Sequence, residues 1–211
     1  MKFIEILSLS TATIKKICKQ NCNNEELKQY LCRFSKNHSN NGLFKTYVLQ
    51  IDKEFIGFIS FSISIIENSI DNFDKIKELT NISQNLKYSL PSIKITRLCI
   101  FEKFKNQGFG SIMISFAEIL SLQIQKQIGC KLLIVDSKIE ASKFYKKNGF
   151  FTIQKSKTIF MIKKIISPKE FKLLDNKLQI QFLKNIQLFC KTFDLPFSKE
   201  IENYLKGYKW E

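Results

Sequence analysis

The segment from Ser92 to Asp136 constrains the fold more than any other. Pro91 opens a strand over 92–101, Ser-Ile-Lys-Ile-Thr-Arg-Leu-Cys-Ile-Phe. A glycine-containing loop follows at 105–110. A long helix over about 111–127 then places Ile112, Phe116, Ile119, Leu120 and Ile124 near one face. Gly129 ends it, and Lys131–Asp136 is a buried apolar strand. Strand, loop, helix and strand in this order make an α/β chain.

The flanking segments fill out that plan. Residues 3–7 read as a short strand, and 11–20 and 24–36 as helices. Asn23 or Asn24 caps the second helix, with Glu25 and Glu26 in its first turn. Residues 45–51 are a strand, Asp52-Lys53 a turn and 55–66 a second strand. In it Phe61, Ile63 and Ile65 alternate with Ser60, Ser62 and Ser64, the period of a half-buried strand. Residues 67–88 are polar and asparagine-rich, a surface excursion with a short helix around 72–79. Ile139–Asn148 is a helix that Gly149 stops in the C′ position. Two strands follow at 150–154 and 157–164. Ser167-Pro168-Lys169-Glu170 is a capping box with proline at the first helical position. Phe171, Leu174, Leu178, Phe182 and Phe189 then recur at helical spacing until Asp194-Leu-Pro196, and a last helix runs from Ser198 to Lys206. This divides the chain into a domain over 1–165 and a helical extension over 166–211 that packs on the core or on a partner. No internal repeat is visible.

Composition excludes several classes. The longest uncharged apolar stretch, Phe55–Ile66, falls short of the about 20 residues that a membrane-spanning helix needs. Glu5 interrupts the opening apolar run, so no secretory signal is expected and the cytoplasm is the expected location. The six cysteines (Cys18, Cys22, Cys32, Cys99, Cys130 and Cys190) are therefore read as reduced thiols. Cys18 and Cys22 lack a second pair at ligand spacing, and His38 is the only histidine, so no metal site is expected. Lysine and arginine number 34 against 19 acidic residues, a formal net charge of +15. That favours an anionic partner. Yet only Arg33 and Arg97 are arginines, and lysine, asparagine and isoleucine are abundant together, as AT-rich coding produces. Both origins of the charge stay open.

The chemistry points to one loop and one helix. Lys105-Asn106-Gln107-Gly108-Phe109-Gly110-Ser111 joins a strand to a helix, where successive backbone amides and the helix dipole suit phosphate oxygens. No Gly-Lys-Ser/Thr ends it, so it is no P-loop, and the third glycine of a dinucleotide fingerprint is missing. Some 35 residues later Phe144-Tyr145-Lys146-Lys147-Asn148-Gly149-Phe150 ends a short helix. In this order and on these elements the two motifs resemble the GNAT acetyltransferase family. There an Arg/Gln-x-x-Gly-x-Gly/Ala loop holds the coenzyme A pyrophosphate, and a later helix ends in Phe-Tyr-x-x-x-Gly-Phe. Lys105 takes the Arg/Gln slot, a point charge without the planar fork. The early segment Cys22–Tyr30, Gly57, and Leu90-Pro91-Ser-Ile-Lys-Ile-Thr-Arg97-Leu98 further resemble the acetyltransferase toxins of bacterial type II toxin–antitoxin pairs, which acetylate the α-amino group of aminoacyl-tRNA. The extension beyond about 166 has no counterpart in those compact toxins.

The resemblance implies a mostly antiparallel mixed sheet of six to seven strands flanked by helices. It also implies acetyl transfer from acetyl-CoA to an amine without a covalent enzyme intermediate. The backbone of Leu98, Cys99 and Ile100 would hold the pantetheine arm, and Lys105, Asn106, Gln107, Gly108, Phe109, Gly110 and Ser111 the pyrophosphate. Phe144 would sit beside the cofactor, and Tyr145 would donate a hydrogen bond or proton to the departing thiolate. A packing role for Tyr145 is the alternative. Arg97 either positions substrate phosphate or braces the fold. Lys143, Lys146 and Lys147 either guide a tRNA end or form a solvated helix face. The 92–101 strand offers no inward carboxylate as general base, and Glu102 lies at its end. An α-amine, with pKa about 7.7–8.0, needs a base less than a lysine at about 10.4 does. Three functions remain open: a tRNA-directed toxin with an antitoxin partner, an acetyltransferase for a small-molecule or peptide amine, and a silent coenzyme A-binding module. Homodimers are frequent in the family.

Overall fold

The computed structural model describes residues 1–81, 88–196 and 198–206. The strands are β1 (Lys2–Glu5), β2 (Lys45–Ile51), β3 (Glu54–Ile66), β4 (Leu90–Ile100), β5 (Leu132–Ser137), β6 (Phe151–Lys155) and β7 (Ile159–Lys164). They form one sheet in the order β1-β2-β3-β4-β5-β7-β6. The pairs β1/β2, β2/β3, β5/β7 and β6/β7 are antiparallel. Helices flank the sheet: α1 (Thr11–Ile17), α2 (Glu25–Gln29), α3 (Ser35–Asn40), α4 (Phe73–Thr80), α5 (Phe109–Gln127), α6 (Ser142–Lys147), α7 (Pro168–Lys172), α8 (Asn176–Thr192) and α9 (Ser198–Lys206).

The chain divides into two compact units. The first comprises residues 1–62 and 95–116. Asn24 caps α2, its side chain accepting from the Leu27 amide at 3.0 Å. A π-turn at Tyr30–Phe34 joins α2 to α3, so the helix expected at 24–36 reaches Asn40. Asp52 and Lys53, with φ of 46° and 69°, make the tight β2–β3 turn whose backbone matches strand twist. Phe116 of α5 stacks on Phe3 with centroids 3.9 Å apart and meets Tyr47 at 5.1 Å. Elsewhere in the unit Tyr30 approaches Phe58 at 6.2 Å. Its hydroxyl, Thr46 and Ser60 form a buried hydrogen-bonded chain with 2.9 Å links.

The cysteines correct the sequence-based expectation. Cys18 is bonded to Cys32 and Cys22 to Cys99, with Cα atoms 5.7 and 6.4 Å apart, whereas Cys130 and Cys190 are free and buried. Folding brings residues 18 and 32, and 22 and 99, within disulfide reach, which their spacing along the chain does not disclose.

The second unit comprises residues 63–94 and 117–211. Ile66, Ile76, Leu90, Leu132, Ile134 and Ile162 form its apolar cluster, joined by Phe73 of α4. The alternation expected along 55–66 breaks inside β3. Phe61 is 4% exposed, but Ile63 and Ile65 are 67% and 59% exposed, because the register of β2 on β3 ends at Lys45↔Phe61. Residues 82–87, the end of the polar excursion, lie outside the described residues. The capping box at Ser167 and Glu170 is present. The periodic helix after it is interrupted, since Asp175 caps a new helix by accepting from Leu178 at 2.9 Å. Glu170 accepts from Lys131 at 3.1 Å and Lys164 at 2.7 Å, while Glu200 accepts from Gln123 at 2.9 Å and Lys126 at 3.0 Å. Ile201 and Leu205 of α9 are fully buried. Among the described residues no helix is long and apolar enough to cross a membrane.

Candidate active site

In the first unit, β4 and a 3-10 turn at Glu102–Phe104 deliver the chain into the glycine loop. Asn106 and Gly108 take left-handed backbone angles, φ of 59° and 86°. The Gly108 carbonyl accepts from Ser111 at 3.0 Å and Ile112 at 3.3 Å, which starts α5 at Phe109, two residues before the expected position. Gly110 and Ser111 thus belong to the first helical turn. The Phe109 and Gly110 amides have no carbonyl one turn back and open a helix of 19 residues. Lys105 is exposed and ion-paired with Glu102, which commits the carboxylate considered as a base. Gln107 donates to the Lys103 carbonyl at 3.1 Å.

Along β4, the Phe101 amide donates to Ile56 at 2.9 Å, and a Cβ on Gly57 would overlap the Cys99 carbonyl oxygen. Cys99 and Phe101 therefore turn their backbone groups toward β3, and strand alternation turns those of Leu98 and Ile100 to the opposite edge. Cys99 contributes its sulfur to the bond with Cys22. The Arg97 guanidinium lies 3.9 Å from the Tyr30 ring centroid and 5.4 Å from that of Phe44; its buried Nε has no hydrogen-bond partner among the described residues. The start of α5 fits the phosphates of coenzyme A: the helix-opening amides of Phe109 and Gly110, a positive helix end, and no atom of the described residues within 4 Å of a side chain at Gly108.

In the second unit, β5 leads through a 3-10 turn at Ile139–Ala141 into α6. Tyr145 is 7% exposed, with Phe144 and Phe150 edge-on at 5.1 and 5.3 Å. Burial pushes its phenol well above the ordinary tyrosine range, so it stays protonated. The helix end is locked: Gly149, at φ 81°, donates to Lys146 at 3.0 Å, and Lys163 donates to the Asn148 carbonyl at 2.8 Å while pairing with Glu118. Lys143, Lys146 and Lys147 are exposed on α6.

A cavity of about 440 Å³, also in the second unit, is lined by Ser64, Lys94, Ile134, Asp136, Gln154 and Phe160 among others. Lys94 and Asp136 pair with each other in its lining at 2.5 Å. In sequence, 131–136 shows only a buried strand. The signal available was a lone carboxylate closing an apolar run. Among the described residues no three His, Cys, Asp or Glu side chains gather at metal-binding distances.

A strand feeding a glycine loop and a long helix, and a second strand feeding a tyrosine-bearing helix, define the acyl-coenzyme A transferase class of α/β fold. The acetyltransferase (GNAT) domain family matches residues 42–151, over half of the chain, and the chain belongs to that family. It is an N-acetyltransferase that uses acetyl-CoA. Among solved structures it is similar to a tyrosine-to-phenylalanine mutant of KacT, with 17% identity over 82% of this chain and 100% of that one, TM-score 0.65. It is similar to AtaT complexed with acetyl-methionyl-tRNAfMet, with 18% identity over 82% and 97%, TM-score 0.63. It is also similar to a mutant AtaT toxin bound to the C-terminus of the antitoxin AtaR and acetyl-CoA, with 18% identity over 70% and 84%, TM-score 0.57. No curated protein matches the chain.

Proposed function

We propose that this enzyme acetylates the α-amino group of aminoacyl-tRNA. The observation that carries the reading is the two-sided α6. Its inner side holds a buried, protonated Tyr145, and its outer side presents Lys143, Lys146 and Lys147, none with a carboxylate partner among the described residues. The inner side suits a leaving thiolate and the outer side a phosphate backbone. The likeness to AtaT with acetyl-methionyl-tRNAfMet and the net charge of +15 support the same acceptor.

When bound, acetyl-CoA supplies the activated thioester. The amides opening α5 hold its phosphates, with Lys105 alongside, and the backbone of Leu98 and Ile100 orients the arm and polarises the acyl carbonyl. Tyr145 donates to the departing sulfur. An α-amine, with its pKa of about 7.7–8.0, keeps a sizeable neutral fraction at physiological pH, and that fraction attacks the acyl carbon without a strong base, the C–S bond breaking and the amine's proton passing to water. We take residues 1–165 as the catalytic domain and 166–211 as an extension. We place the protein in the cytoplasm with a protein antitoxin as partner, as AtaT has in AtaR.

The test is incubation with labelled acetyl-CoA and total aminoacyl-tRNA beside Tyr145→Phe. Label in the tRNA fraction that the variant loses by about 100-fold supports the reading. No label on tRNA, with small amines acetylated, overturns it in favour of the small-amine enzyme.

A further inference from the structure

The cavity lined by Lys94 and Asp136 is used by neither the glycine loop nor Tyr145, and its lining is chemically graded. Along β5, Leu132 and Ile134 belong to the apolar cluster. Asp136, two residues on, shares their face and ends it in a charge. The side chains of Lys94 and Asp136 are 34% and 41% exposed, open to whatever enters. Glu67 adds a second carboxylate, which accepts from Ser69 at 3.2 Å. Two carboxylates against one ammonium leave the lining negative by one, a match for a single positive charge. Ile66, Ile70, Ile134 and Phe160 form an apolar wall. The volume, about 440 Å³, suits a small organic group and excludes a nucleic-acid segment.

The rim carries the opposite sign. Ser156 and Thr158 line the cavity, and the neighbouring Lys155 and Lys157 are exposed, without a carboxylate partner among the described residues. A polyamine would meet Lys94, Lys155 and Lys157 as like charges. One amine carried on a polyanion meets a carboxylate inside and lysines outside.

We infer that this cavity receives the amino-acid end of the acceptor. Asp136 binds the α-amine, Ile70, Ile134 and Phe160 bind the side chain, and Lys155 and Lys157 bind phosphates beyond it. The inference rests on the aminoacyl-tRNA reading and narrows it: apolar aminoacyl groups are preferred over lysyl and arginyl ones, whose side chains meet Lys94. On the chain, Asp136 precedes Tyr145 by only the 3-10 turn and the start of α6.

The experiment is initial-rate kinetics of the full chain with leucyl-, alanyl- and lysyl-tRNA, with acetyl-CoA binding measured separately. Asp136→Asn raises the KM for leucyl-tRNA about tenfold or more and leaves the acetyl-CoA Kd unchanged, and Asp136→Glu recovers part of the loss. Phe160→Trp narrows the cavity and lowers kcat/KM for leucyl-tRNA more than for alanyl-tRNA, a change of ratio that loss of folded protein does not produce. An unchanged KM in Asp136→Asn, or an unchanged ratio in Phe160→Trp, overturns the inference while the functional reading stands. A wild-type protein that labels no aminoacyl-tRNA overturns both.

Discussion

The Arg97 guanidinium rests on the face of Tyr30, 3.9 Å from the ring centroid, with Phe44 at 5.4 Å. One of only two arginines in the chain is thus held by aromatic rings that its planar head can stack on and a lysine head cannot. Arg97→Ala is expected to cost about 1–2 kcal/mol in urea unfolding, and Arg97→Lys nearly as much. Were Arg97 instead a substrate contact, acceptor KM would rise with stability unchanged. The two measurements decide between the brace and the ligand.

Gly57 and Gly108 predict opposite responses to alanine. At Gly57 the added Cβ meets the Cys99 carbonyl and lies 3.0 Å from the Ile100 Cα, both backbone atoms that cannot turn aside. Gly57→Ala is expected to cost about 3 kcal/mol or more and to weaken acetyl-CoA binding by displacing β4. At Gly108 nothing among the described residues lies within 4 Å, so the positive φ is what resists, at about 1–2 kcal/mol. Thermal unfolding of both variants, with isothermal titration of acetyl-CoA, checks the contrast.

The two disulfides make stability redox-dependent. Each bridge contributes on the order of 2–5 kcal/mol, so dithiothreitol is expected to lower the Tm sharply. Cys22→Ser is expected to remove part of that response and Cys130→Ser none, since Cys130 is a free thiol. A Tm indifferent to reductant would exclude both bridges in solution.

Glu170 gives the acid limb. Against the upward push of its partial burial, hydrogen bonds from Lys164, the Ser167 amide and Lys131 hold its carboxyl at about 2. Its unfolded value is about 4.3. The folded value being the lower, the stabilisation is complete above the unfolded value and disappears as pH falls from about 4.3 toward 2. Glu170→Gln should therefore lower the Tm by a few degrees at pH 7, and its gap from wild type should close across that acid window. The side chain is 20% exposed, so water screens part of the effect.

The sequence disclosed what is local. The Asp52-Lys53 turn, the cap at Asn24, the stop at Gly149 and the capping box at Ser167 each depend on neighbours a few residues away, and each is found where the sequence places it. What depends on distant partners was not legible. Pairing of Cys22 with Cys99 needs β4 brought to the α1–α2 connection, and exposure of Ile63 and Ile65 depends on where β2 stops. Asp175 lies inside the helical spacing that runs from Phe171 to Phe189, and only the folded chain shows its side chain capping α8. The glycine loop and tyrosine helix were readable because their chemistry requires fixed residue types at short spacing. Asp136 was not, because the cavity it lines is assembled from β3, β4, β5 and the β6–β7 turn, which are distant along the chain.

Glu170 also bears on how this chain tolerates shortening. It sits just past the last strand and satisfies Lys131 of the sheet region and Lys164 of β7 at once, while Ile201 and Leu205 bury the apolar side of α9. A gene that stopped at Ile165 would strip both ammonium groups of their counter-charge and bare the surface beneath. The product would precipitate rather than serve as a minimal catalyst. Screens that trim the chain to the size of its compact relatives would then score it as inactive for want of solubility, with its catalytic groups intact.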